Sequence, residues 1–218
     1  MLHEFDNKFF NQGYRFIAGI DEAGRGPLAG PVVASAVILP PNISINGVDD
    51  SKKLTSEKRE ILFEIIKEKA LSIGTGIVSS KVIDEINILE ATKVAMLKAV
   101  ENLTIIPNLI IIDGITPLSL THQAEIKQIT IKKGDTLSQS IASASIIAKV
   151  TRDRLMFDYD AKYPKYLFAR HKGYGTKEHL ERIKEFGPCE IHRTSFKGVK
   201  EDIFQPQRHK VTKILNQD

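Results

Sequence analysis

Apolar residues along this chain fall into blocks of two periods. Residues 14–18 (YRFIA) and 32–39 (VVASAVIL, with a proline on either side) are short, β-rich runs that read as buried strands, the first running into the centre of a sheet. Residues 109–113 end an unbroken aliphatic run in Asp113-Gly114, and such continuous apolarity requires cover on both faces. Two more strands are predicted over 72–79, where Gly74 and Gly76 interrupt the alternation, and over 126–131. Between them the period changes. Ile61, Leu62, Ile65 and Ile66 form the stripe of an amphipathic helix over 55–69, with Thr55 or Ser56 as its cap. A second helix is predicted over 89–103, with Ala95, Met96, Ala99 and Val100 facing inward. A long one over 138–159 opens with small residues suited to close packing on a sheet. Past Pro164 come a loop at 171–176 (HKGYGT), a short helix to about Phe186 and a basic tail. This order of elements predicts an α/β domain with a helical C-terminal part.

Composition narrows the class. A chain of 218 residues that is 42% hydrophobic can bury a full core, and 27% charged residues give no reason to expect disorder beyond the ends. A net charge of +4 suits a polyanionic partner without requiring one. The single Cys189 excludes an internal disulfide and a cysteine-based zinc site. No run reaches transmembrane length and the first residues lack the apolar core of a signal peptide, so a reducing, cytoplasmic setting without membrane contact is the expectation.

The densest chemistry lies in GIDEAGRGPLAG, residues 19–30. Asp21 and Glu22 are placed where the first strand ends, directly before the turn Gly24-Arg25-Gly26. Carboxylates there cost several kcal/mol unless a cation holds them, and hard ions such as Mg²⁺ and Mn²⁺ prefer oxygen ligands. The glycines would let backbone amides approach a phosphate or sugar. A P-loop is excluded because Arg25-Gly26 stand where Lys-Ser/Thr belong, and a dinucleotide fingerprint fails on spacing and on Pro27 and Pro31.

Two further acids extend the pattern: Asp113 at a strand end, and Asp153 on the long helix, on one face with Lys149 and Ser145. Taken singly, Asp113 could be a turn residue and Asp153 a member of a surface ion pair. Together, the four acids could hold two divalent ions about 4 Å apart, one activating a water and the other stabilising the leaving oxygen. No histidine or serine nucleophile is then required. His171 and His192 read as structural or substrate-side groups.

These residues carry a resemblance. GIDEAGRGPLAGPVV, DDSKKL (49–54), NILEAT (87–92), IIIDG, SIASASIIAKVTRDR, HKGYGT and HRTSF (192–196) follow one another as in ribonuclease HII, the type 2 ribonuclease H family. The resemblance spans about 14–202, which makes 1–13 an N-terminal extension and 203–218 a basic tail. It implies a ribonuclease H-like fold, a mixed five-stranded sheet flanked by helices, with a helical C-terminal segment. It implies that Asp21, Glu22, Asp113 and Asp153 bind Mg²⁺ or Mn²⁺ and catalyse endonucleolytic cleavage of RNA in RNA–DNA hybrids. Cutting 5′ of a single ribonucleotide embedded in duplex DNA, leaving 3′-hydroxyl and 5′-phosphate, is implied as well, with roles in ribonucleotide repair and primer removal.

By the same resemblance, Gly24, Arg25 and Gly26 contact the ribose 2′-hydroxyl, which distinguishes RNA from DNA. Tyr174 stacks on the deoxyribose that follows. Lys52, Lys53, Arg193 and Ser195 become candidate contacts to the nucleic-acid backbone; the plain alternative for the lysine pair is a solvated turn ahead of the helix. Ser143 stands where many relatives carry alanine. The tail lacks the paired aromatics of a sliding-clamp-binding peptide, and with no domain ahead of the first strand the related ribonuclease HIII is the less expected relative. A monomer suits an enzyme that must embrace a duplex. A type 1 enzyme, which needs a run of ribonucleotides, and a non-catalytic hybrid-binding protein are the alternatives.

Overall fold

The computed structural model describes residues 2–48, 51–120 and 126–200, apart from the Lys52 side chain. Asp49 and Asp50 of the DDSKKL motif and the tail at 203–218 lie outside the described residues.

Five strands form one mixed sheet in the order β3-β2-β1-β4-β5. They are β1 (Ile17–Ala23), β2 (Val32–Ile38), β3 (Ser72–Val78), β4 (Leu109–Asp113) and β5 (Lys127–Ile131). β1 runs antiparallel to β2 and parallel to β4, so it is the central strand. It is also longer than its apolar run suggests. Pairing with β2 continues to Ala23↔Val33, so Asp21 and Glu22 lie within the strand, where the sequence alone placed them at its end. A ladder partner on the next strand, invisible to local hydrophobicity, carries the backbone through the acids.

Alternation along β1 and β4 divides the core in two. Ala18, Ile20, Ile110 and Ile112 meet Ala91, Ala95 and Ala99 of helix α3 (Ser80–Glu101). Ile17, Leu109 and Ile111 instead meet Ile141 of helix α4 (Gln139–Lys162). Helix α2 (Ser56–Lys69), capped by the Thr55 hydroxyl, packs Leu62, Phe63 and Ile66 into the α4 side. α3 starts nine residues before the predicted 89 and bends at Asn87, whose backbone turns left-handed (φ 67°). The Asn87 side chain there accepts hydrogen bonds from the Leu89 and Glu90 amides at 2.9 and 3.2 Å, capping the second half of the helix.

α4 is the element that positions the site. Gly19 of β1 lets it approach, because a Cβ there would overlap the Ser140 and Ile141 backbone. Its N-terminus is held by helix α1 (Leu2–Phe10): buried Asp6 accepts from the Ser140 amide at 2.9 Å and its hydroxyl at 2.8 Å. Residues 2–10 of the expected N-terminal extension therefore form a helix packed on the domain. Helices α5 (Phe168–His171) and α6 (Lys177–Phe186) form the C-terminal part. No helix among the described residues is long and apolar enough to cross a membrane.

Candidate active site

The register of the central strands builds the site. Ile20 pairs with Ile112 across the parallel β1–β4 ladder. The next residue on each strand is an aspartate, and both point toward α4. Asp21 is buried, and its carboxylate lies against Ser145 of α4. Burial first, and then the neighbouring charges of Glu22 and Asp113, hold its pKa well above the usual carboxylate range. Burial likewise raises Glu22, although Arg25 donates to its carboxylate at 3.2 Å. Asp113 accepts a 2.7 Å hydrogen bond from the Gly134 amide.

That contact brings in a residue the sequence reading missed. Asp135, in the 3-10 turn Gly134–Thr136 just after β5, is buried, and one oxygen each from Asp21, Asp113 and Asp135 lie within 4.8 Å of one another. Its only local signal is an acid beside a glycine shortly after an apolar strand, the same signal that marks Asp113.

Asp153 does not join this group. It lies further along α4, where Lys149 donates to both its oxygens at 2.6 and 2.8 Å and the Arg59 guanidinium stands 3.9 Å away. Lys149, rather than Asp153, lines the cleft that contains Asp21, Glu22 and Asp113. The shared helix face places the lysine between the fourth acid and the other three, and its ammonium supplies the aspartate's counter-charge.

The same cleft is bordered by Gly24, Arg25, Gly26 and Tyr174. The turn is braced from beneath by two buried arginines. Arg193 donates to the carbonyls of Gly24 (2.5 Å), Arg25 (2.9 Å) and Gly30 (2.9 and 3.1 Å). Arg152 reaches those of Ala29, Pro31 and Lys172. Gly24 has φ +98°, and a Cβ on it would overlap the Arg152 guanidinium. The structure thus corrects the expectation for Arg193. It is fully buried, with burial and nearby Arg152 lowering its pKa to about 9, so it shapes the turn and does not reach a phosphodiester.

Ser195 is not among the residues that line this cleft. It is exposed, but its hydroxyl donates to Asp84 of α3 at 2.5 Å, and the Thr194 hydroxyl takes the other oxygen at 2.8 Å. This pair fastens the C-terminal segment to α3 away from the cleft. Lys53 is exposed in the 3-10 turn Ser51–Lys53, which Ser51 ties to Ser145 of α4 at 2.9 Å; the Lys52 side chain lies outside the described residues. Tyr174 is 44% exposed at the rim of the cleft.

The whole domain has relatives. A family model described as Ribonuclease HII matches residues 18–199. The chain belongs to the ribonuclease HII family. A ribonuclease HII from Geotalea daltonii is 58% identical over 202 residues, covering 93% of this chain and 92% of the relative. One from Acetivibrio thermocellus is 58% identical over 88% of this chain and 73% of its own. Among solved structures, the ribonuclease H2 of Pyrococcus horikoshii OT3 superposes with a TM-score of 0.70 at 30% identity, covering 86% of this chain and 96% of that one. The ribonuclease HII of Archaeoglobus fulgidus, solved in complex with PCNA, gives 0.68 at 27%, covering 84% and 95%. Membership makes the chain an endoribonuclease of a divalent-metal-dependent family that degrades the RNA of RNA–DNA hybrids.

The residues present fit a hard divalent ion. The donor set is all oxygen, the carboxylates crowd one another, and burial disfavours their unscreened charge.

Proposed function

We propose that this chain cleaves the phosphodiester 5′ of a ribonucleotide, both in long hybrids and at a single ribonucleotide in duplex DNA, leaving a 3′-hydroxyl and a 5′-phosphate. One observation carries the reading: a single cleft holds Asp21, Glu22 and Asp113 beside the turn at 24–26 and the exposed Tyr174. Chemistry and ribose recognition are therefore adjacent.

Asp21, Glu22 and Asp113 would hold Mg²⁺ or Mn²⁺, with Asp135 alongside. Asp153 completes a two-ion set only if its ion pair with Lys149 opens. Two such ions, when bound, lower the pKa of an attacking water and stabilise charge on the leaving oxygen. The protein supplies position. Arg193 holds the turn's carbonyls inward and Arg152 those of Ala29 and Pro31 just beyond it, which fixes the backbone that would meet the 2′-hydroxyl. Arg25 keeps Glu22 oriented while remaining half exposed for a phosphate. The Tyr174 ring would stack on the following sugar, where a second 2′-hydroxyl would crowd it. Lys52 and Lys53 would meet phosphates near the cleft. Such an activity serves ribonucleotide removal from DNA and primer removal.

The test is an end-labelled DNA duplex carrying one ribonucleotide, with Mg²⁺ or Mn²⁺, beside EDTA and all-DNA controls. A metal-dependent single cut 5′ of the ribonucleotide is expected. Cleavage of a long hybrid without that cut would overturn the junction reading.

A further inference from the structure

We propose that His179 and His192 are positioning residues for Tyr174, joined in a relay of hydrogen bonds through two neutral imidazoles that fixes its backbone and so aims its ring. This rests on the junction-reading role given to Tyr174 above.

The proton positions follow from the partners. His179 Nδ1 lies 2.9 Å from the Tyr174 carbonyl. A carbonyl only accepts, so Nδ1 carries the hydrogen and Nε2 of the neutral ring is an acceptor. His192 Nε2 sits 3.1 Å from that acceptor and must donate to it. His192 Nδ1 is then left as an acceptor, and the Cys189 amide donates to it at 2.9 Å. Every atom in the chain from Cys189 to Tyr174 is satisfied by one tautomer of each ring.

A third ring acts in parallel. His171 donates through Nε2 to the Tyr166 carbonyl at 2.8 Å and accepts the Gly173 amide on Nδ1 at 3.2 Å. It stacks on His179 with ring centroids 4.3 Å apart. Phe168 packs against all three rings. Burial keeps His179 and His192 neutral, as the relay requires.

The Tyr174 ring is exposed at the cleft, so its direction comes from its backbone. Its carbonyl accepts from His179 and from the Thr176 amide (2.8 Å), and its amide donates to the His171 carbonyl (2.9 Å). The preceding Gly173 carbonyl accepts from the Leu28 amide at 2.8 Å, which joins this loop to the 24–30 turn. The histidines therefore set where the ring stands relative to Gly26.

The two amide isosteres of histidine separate positioning from packing. His179→Asn places an N–H near Nδ1 and preserves the bond to Tyr174; His179→Gln places its amide near Nε2 and leaves that carbonyl without a side-chain donor. The readout is the rate at a single embedded ribonucleotide divided by the rate on a long hybrid. His179→Gln should lower this ratio by about fivefold or more, the effect of one lost hydrogen bond, and His179→Asn should restore it to within about twofold. Equal ratios for the two variants would overturn the relay.

Tyr174→Ala belongs in the same experiment. If it leaves the ratio unchanged, the tyrosine reading fails and the relay with it. If it lowers the ratio while His179→Gln does not, only the relay fails. Should His179→Gln not fold, long-range ¹H–¹⁵N spectra of the wild-type protein decide the matter. The relay requires Nδ1–H on His179 and Nε2–H on His192, and the opposite tautomer on either ring overturns it.

Discussion

Asp21 and Asp113 stand side by side because the parallel pair Ile20↔Ile112 immediately precedes them on adjacent strands. Strand register, rather than a flexible loop, sets their spacing, so the proposed metal ligands rest on the central ladder of the sheet.

This makes Asp113 a clean test of chemistry. Asp113→Asn keeps the shape and can still accept from the Gly134 amide. Cleavage should fall by more than about 100-fold, since even groups behind metal ligands cost 10–100-fold when removed. Hybrid binding, measured by fluorescence anisotropy in the same metal, should change little. Near-normal turnover would remove Asp113 from the site.

Asp21 should behave differently in stability. Burial and its acidic neighbours oppose its charge, so Asp21→Asn should stabilise the protein in EDTA by about 1 kcal/mol or more while abolishing cleavage. A melting temperature in EDTA below wild type would show that the charge is compensated within the fold.

Gly19 tests the seating of α4 on β1. Gly19→Ala drives a Cβ into the Ser140–Ile141 backbone, which no side-chain rotation relieves. A loss of about 1–3 kcal/mol or more is expected in denaturant unfolding. An unchanged midpoint would mean the helix can shift freely.

Arg193→Lys keeps a charge but loses the planar fork that serves three carbonyls. Hydrogen bonds to charged groups contribute about 1.5–3 kcal/mol each, so the variant should lose at least about 2 kcal/mol of stability. Weaker substrate binding should accompany it as the 24–26 turn loosens. Thermal melts and hybrid affinity check both outcomes, and wild-type values in each would refute the brace.

The histidine cluster predicts acid sensitivity. Burial lowers His179 and His192 from 6.5 to about 4. Between those values the unfolded chain binds more protons than the folded one, so stability is complete above pH 6.5 and falls as pH drops toward 4. Each ring contributes at most roughly 3 kcal/mol. Melting temperature followed from pH 7 to 4.5 should fall, and replacing His192 with a neutral isostere should flatten the curve.

Much of this was legible in the chain because the signals are local. Aliphatic runs and helical stripes gave the five strands and the main helices, since side-chain periodicity reports directly which faces are covered. An acid pair at the end of an apolar run, followed by glycines, marked the chemistry of the cleft and the class of ion that suits it. Other features lie between residues far apart in sequence. Arg193 and Gly24 are 169 positions apart, and nothing near either one announces a fully buried guanidinium beneath a glycine turn. Asp135 reaches the acids only through the turn that follows β5, Lys149 stands between Asp153 and the cleft, and the three histidines take their tautomers from one another and from backbone carbonyls. Local pattern determines which elements form and which chemistry they carry. Tertiary packing alone decides which donors meet which acceptors, because hydrogen bonds and ion pairs act over a few ångströms that only the folded chain brings together.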